Sequence, residues 1–173
     1  MKNNDTSSLF QTEIETGFFV LRFKNDGEAP LRKEHEVNQD VIQFHFCLKG
    51  QTNFTFNEGR YTFQVLEDHS MLLYNPQKAL PIDVELAPDT WMVSVLISIA
   101  KFHSLFSADA NHISFLSSEN SARKYYDNLP FTSSIAVVLS QILQAKVHDS
   151  MRSLYFKGKV YELLSLYFNK KIS

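Results

Sequence analysis

The chain has 173 residues, 44% of them hydrophobic and 13% aromatic, enough for one compact domain with a substantial core. Seventeen Lys and Arg against nineteen Asp and Glu leave a net charge of −2 with no block of like charge, so the basic footprint of a nucleic-acid surface is missing and the chain alone is not expected to bind DNA at physiological salt. The single cysteine, Cys47, excludes an internal disulfide, the polar start lacks the apolar core of a signal peptide, and the longest apolar run, Trp91–Ala100, is too short to span a bilayer; together these predict a cytoplasmic protein.

Met1–Gln11 has no periodicity and reads as a mobile arm, or as a strand that orders only against something else. Gly17–Lys24 is the first strand, and the polar stretch from Asn25 to Asn38 reads as a loop. From Val41 to Pro76 apolar and polar residues alternate on a two-residue period, with turns at Lys49-Gly50, Asn57-Glu58-Gly59 and Glu67-Asp68, which predicts a run of antiparallel strands. Along Val41–Leu48 neither parity is charged, so both faces of that strand should be covered. If Gln43, His45, Cys47 and Lys49 point inward, the interior holds the few convergent polar groups that recognition needs; if Ile42, Phe44, Phe46 and Leu48 do, it is a filled core. Leu80–Leu86 and Trp91–Ile99 complete the strands.

After Ala100 the period changes to nearly four. Lys101–Phe106 predicts a short helix, and Ala108–Tyr126 a mixed segment. Pro130 with Thr132, Ser133 and Ser134 marks a helix start, and Ile135, Val138, Leu139, Ile142 and Leu143 then fall on one arc. Asp149 or Ser150 caps a last helix running to about Asn169. Its apolar residues form two stripes, Phe156/Val160/Leu163/Tyr167 and Leu154/Tyr161/Leu164/Phe168, wide enough for two neighbours. Gly158 and Ser165 beside the second stripe would allow a close helix approach, inside the chain or between two copies.

The phrase Ile42–Gly50 (IQFHFCLKG), the glycine-turned hairpin, Glu67–Pro76 (EDHSMLLYNP), the Trp91 strand running into Lys101–Phe106, and the helix Ser153–Phe168 resemble the amino-terminal domain of AraC/XylS-type transcriptional regulators, in the siderophore-regulator branch, over roughly Ile14 to Phe168. The resemblance implies a mainly β fold, a cupin-like antiparallel β-barrel of jelly-roll type over residues 1–100, followed by a helical dimerisation part over 101–173. It implies a small-molecule effector, no cofactor, and a homodimer through Leu154, Gly158, Tyr161, Leu164, Ser165 and Phe168. It also implies contact with DNA only through a separate helix-turn-helix domain, which would begin where this chain stops. In sugar-binding members a basic residue before the strand-ending glycine contacts the ligand, which nominates Lys49, and the tryptophan strand lines the pocket, which nominates Trp91, Val93 and Val95 beside Gln43, His45 and Cys47. Leu80 and Ile82 stand where those members carry aromatic and imidazole contacts, which points away from a sugar and toward a more apolar ligand.

Catalytic chemistry finds little support. His45 and Cys47, with His35, Glu58 or His69, could converge on a metal, and a metal-dependent cupin enzyme is the rival reading; but there is no His-x-His pair. Cys47 in mid-strand has no helix terminus to activate it. Glu34, His35 and Glu36 form a charged trio that is either solvated or reaches a ligand. No catalytic residue is assigned, and the expected protein is a ligand-sensing and dimerisation domain rather than an enzyme.

Overall fold

The computed structural model describes residues 9–105 and 125–172. Among the described residues ten strands and three helices follow in chain order: β1 (Leu9–Glu15), β2 (Phe18–Asn25), β3 (Leu31–His35), β4 (Val41–Lys49), β5 (Gln51–Phe56), β6 (Tyr61–Leu66), β7 (His69–Tyr74), β8 (Ile82–Leu86), β9 (Thr90–Ser98), α1 (Ile99–Leu105), β10 (Tyr125–Pro130), α2 (Ser133–Leu143) and α3 (Arg152–Ile172), the last preceded by a 3₁₀ turn at Asp149–Met151. A six-stranded sheet in the order β1-β2-β9-β4-β7-β10 faces a four-stranded one in the order β3-β8-β5-β6. This is the jelly-roll arrangement expected, built as two facing sheets and not closed into one hydrogen-bonded barrel.

The turns follow the residues that mark them. Asn57, Glu58, Gly59 and Asp68 take positive φ, as tight hairpins require. Gly50 has φ +84°, and a Cβ there would lie 2.1 Å from Thr90 Oγ1 and 2.7 Å from the Asp89 carbonyl oxygen, so only glycine lets β4 turn into β5 beneath β9. Thr132 caps α2, its hydroxyl oxygen accepting from the Ile135 amide at 3.3 Å. His148 caps the 3₁₀ turn that leads into α3, with the Ser150 amide donating to its Nδ1.

Two strands depart from the sequence reading, and a third takes an alternative that reading left open. Leu9–Glu15 is that third, a strand paired with β2 with a register shift between Glu13 and Glu15. Leu31–His35, expected in a loop, pairs with β8 at the edge of the small sheet, where Arg32 forks onto Asp83 at 2.8 and 2.6 Å. Its charges had hidden it, and charged residues are what exposed edge strands carry. Tyr125–Pro130, which begins at the end of the segment expected to be mixed, pairs with β7; the rest of that segment lies outside the described residues.

Strand β4 lies between β9 and β7 with both faces buried, as its pattern required. Ile42, Phe44 and Phe46 face the helices, together with Phe18, Val20, Val93, Val95, Phe102, Leu139, Phe156, Leu163 and Phe168. The opposite face, with Leu21, Phe23, Cys47, Met71, Leu73, Met92 and Leu96, meets Phe54, Phe56, Val65, Ile82, Val84 and Leu86 of the small sheet.

The last helix corrects the expected dimer surface. Leu164 and Phe168 are 2% and 1% exposed, Phe168 lying against Phe44 and Phe102 with ring centroids 5.8 and 5.4 Å apart. Tyr161 packs on Phe18 at 5.7 Å and donates its hydroxyl to Glu15 Oε2 at 2.9 Å. These three residues of the second stripe therefore turn inward, because the sheet, β1 and α2 together cover more of α3 than two neighbours would. Leu154 (67% exposed), Gly158 and Ser165 remain on the surface.

Candidate functional site at the mouth of the sandwich

The polar parity of β4 points between the sheets, and what it builds there is a chain of hydrogen bonds. Gln43 Nε2 donates to the Leu80 carbonyl oxygen at 2.6 Å, which leaves Gln43 Oε1 to accept from His45 Nε2 at 2.8 Å; His45 Nδ1 then accepts from the Ser94 hydroxyl at 2.6 Å. Every member is buried. Burial holds the His45 pKa down to about 3, so the ring is neutral, as this tautomer demands. Phe54 covers the imidazole, with centroids 4.5 Å apart.

The far end of this chain is the β7–β8 loop, residues 75–81. Gln43 holds it at Leu80, Gln39 Nε2 donates to the Pro76 carbonyl oxygen at 2.6 Å, and Lys78 Nζ donates to Asn57 Oδ1. The loop forms one wall of two adjoining clefts that share Phe56, Asn57 and Lys78. The first, of about 360 Å³, is walled by Phe56, Tyr61, Phe63, Leu73, Tyr74, Leu80 and Tyr126, with Lys78 as its one charged group. The second, of about 490 Å³, is lined by Glu34, His35, Glu36, Glu58, Lys78 and Asp83 among others, so the charged trio of the sequence reading borders a cavity. Tyr126 meets Phe63 at 4.8 Å and Asn128 Nδ2 reaches the Gln64 carbonyl oxygen at 3.3 Å, joining β10 to β6 by side chains instead of a ladder; the apolar cleft opens at that seam.

The nominated ligand residues do not converge. Antiparallel pairing sets His45 opposite Ser94 and Phe44 opposite Val95, so Gln43, His45 and Cys47 share a face with Met92 and Leu96, whereas Val93 and Val95 lie on the other face beneath the helices. Trp91 is also on that face, between Lys24 Nζ at 4.7 Å and Lys49 Nζ at 4.8 Å, its Nε1 donating to Asp26 Oδ1 at 2.8 Å. A bulge between Cys47 and Lys49 turns Lys49 out to Asp89, 2.9 Å away. Cys47 donates weakly to the Lys49 carbonyl oxygen at 3.5 Å, and burial pushes its thiol up to about 12, so no thiolate forms near neutral pH. Both His45 nitrogens are engaged within the protein, and among the described residues no three His, Cys, Asp or Glu side chains are grouped to hold a metal. Sequence reasoning missed the aromatic wall: Phe54/Phe56 and Phe63/Val65 alternate toward the interior and could have been found, whereas nothing local marks Lys78 or Tyr126.

Residues 8–172 match the family model of the regulatory protein PchR amino-terminal domain. The chain belongs to that family. This bears out the AraC-type resemblance. Among solved structures, apo ToxT K231A from Vibrio cholerae is similar at 14% identity and a TM-score of 0.52, covering 90% of this chain and 56% of that one. Unsaturated fatty acid-bound ToxT follows at 14% identity and TM-score 0.47, covering 88% and 56%. The cupin domain of Schizosaccharomyces pombe Cnp3 is similar at 12% identity and TM-score 0.40, covering 57% and 65%. The chain thus spans just over half the length of ToxT. No curated protein sequence matches it. Among the described residues no helix is long and apolar enough to cross a membrane.

Proposed function

We propose that this regulatory domain senses a small, largely apolar molecule in the cleft walled by Phe56, Phe63, Leu73, Leu80 and Tyr126. The observation that carries the reading is that cleft's construction: an aromatic and aliphatic lining with one cation, Lys78, and a loop wall anchored to the buried Gln43–His45–Ser94 chain. Gln43 and His45 act as supports of the wall and not as ligand contacts. An occupant that displaces Lys78 from Asn57 would shift the 75–81 loop and, through Gln43, the centre of the large sheet, and so reach the helices packed behind it.

The domain works as a binding module, not an enzyme, in the cytoplasm, and touches DNA through a separate helix-turn-helix domain. It works as a homodimer; Met151 at the end of the 3₁₀ turn and Leu154 at the start of α3, both exposed, support a pairing surface there. The cleft is tested by titrating the purified chain with 1-anilinonaphthalene-8-sulfonate. One equivalent should bind with enhanced emission, and Leu80→Glu and Phe63→Glu, at half-buried positions, should each weaken binding by about tenfold or more while the melting temperature holds within a few degrees. Unchanged binding in both variants would remove the cleft as the site.

A further inference from the structure

On the helix-covered face, β2 carries a guanidinium with a buried donor that no hydrogen bond satisfies. Arg22 stands between the rings of Phe10, its cross-strand partner, at 5.1 Å and Phe156 of α3 at 4.8 Å. Its Nε is buried and has no hydrogen-bond partner, and burial, with Arg152 nearby, presses its pKa downward. Beside it an open groove of about 430 Å³ is lined by Arg22, Lys24, Leu143, Gln144, Ala145 and Lys146. No carboxylate lines this groove, and Arg22, Lys24 and Lys146 form no ion pair with a described residue.

A structural explanation would be that the carbonyl end of α2, which opens here, has gathered these cations. An arginine capping that end would donate to its carbonyls, and Arg22 Nε donates to none. A planar fork pinned between two rings, with its Nε donor unspent and two lysines at the rim, is preorganised for a planar or tetrahedral oxyanion. Gln144 adds an amide at the same edge.

We propose that this groove is a second ligand site, taking the carboxylate or phosphoryl group of a small organic anion on Arg22, Lys24 and Lys146. It lies apart from the apolar cleft and does not depend on that reading. An anion there would tie β2 to the connection between α2 and α3, and so act on the setting of the last helix.

The molecule supplies its own reporter. Trp91 is the chain's one tryptophan and Lys24 rests on its ring, so drawing Lys24 toward an anion should change Trp91 emission. The chain is titrated with sodium phosphate and separately with sodium citrate, each against chloride at matched ionic strength. A saturable change with phosphate, citrate or both, absent with chloride, is expected; phosphate alone assigns a phosphoryl group and citrate alone a carboxylate. Lys146→Gln should raise the midpoint about tenfold, Arg22→Gln should abolish the response, and Arg32→Gln, on the opposite sheet, should leave it unchanged. If Arg22→Gln does not fold, Lys146→Gln decides alone. No saturable change with either anion, or a midpoint unmoved by Lys146→Gln, overturns the site.

Discussion

One strand, β4, builds two different regions. Its even residues enter a solid aromatic layer beneath the helices, where Phe44 touches Phe102, Tyr167 and Phe168 at centroid distances of 6.1, 5.6 and 5.8 Å. Its odd residues enter the space between the sheets, where Gln43 and His45 use their hydrogen bonds to hold a loop. Around β4 the helix face is packed with aromatic and aliphatic side chains. The inner face gives up hydrocarbon for polar supports that end at an open mouth, the place proposed for the ligand.

The largest effect should come from opening the helix face. Phe44→Ala removes a fully buried ring from a layer with little room to relax, and should cost about 3–5 kcal/mol in denaturant unfolding. A loss under about 1 kcal/mol would mean that the layer is not the rigid half of the molecule.

The inner face should declare itself through pH. His45 has a folded pKa near 3, below its ordinary value of 6.5, so between those values the unfolded chain binds the proton and the folded one does not. Stability is fully present above about pH 6.5 and falls as pH drops toward 3. Glu15 runs in a lower window. Lys101 first, then Lys157 and Tyr161, bond its carboxylate and hold it at about 2 against an ordinary 4.5, so its contribution is present above pH 4.5 and lost as pH falls toward 2. Between 6.5 and 4.5 His45 acts without Glu15. His45→Gln should flatten the stability profile there, and a slope identical to that of the unmutated protein would show the ring to be hydrated or charged.

Much of this contrast was legible in the sequence. The two parities of Val41–Leu48 were visible, as were the hairpin turns, the α2 arc and the polar character of the Gln43/His45 face. Which parity faced which layer was not legible, because a central strand buried on both sides gives no solvent face to orient it. Trp91, Val93 and Val95 were nominated without the β4–β9 register, and that register sends odd residues of β9 to the helix side. β3 was hidden by its charges, and Lys78 by lying in a loop whose position depends on Asn57 and Gln43, far off in the chain.

A smaller effect should follow from cutting the clasp between the edge of the six-stranded sheet and the helices. Glu15 on β1 joins Lys101 of α1 and Lys157 of α3, the latter at 2.8 Å. Glu15→Gln should cost about 1 kcal/mol or less, since partly exposed pairs contribute little, and the cost should shrink in high salt. A loss independent of salt would assign Glu15 a packing role instead.

The smallest effect discriminates most finely, at Gly158. The residue lies inside α3 on its outer side, and a Cβ placed there meets nothing within 4 Å. In a helix interior glycine is less favourable than alanine by roughly 0.5–1 kcal/mol, because it surrenders more backbone freedom on folding. If this side of α3 faces water, Gly158→Ala should stabilise the protein by about that amount, read as a higher denaturant midpoint with unchanged slope. If two copies pack their α3 helices closely across Gly158 and Ser165, the added methyl meets the partner's backbone, and light scattering should show weakened association in place of a stability gain. The outer face of α3 is then a third region, neither solid core nor ligand mouth, and one methyl group tells whether it is a free surface or the seam of a dimer.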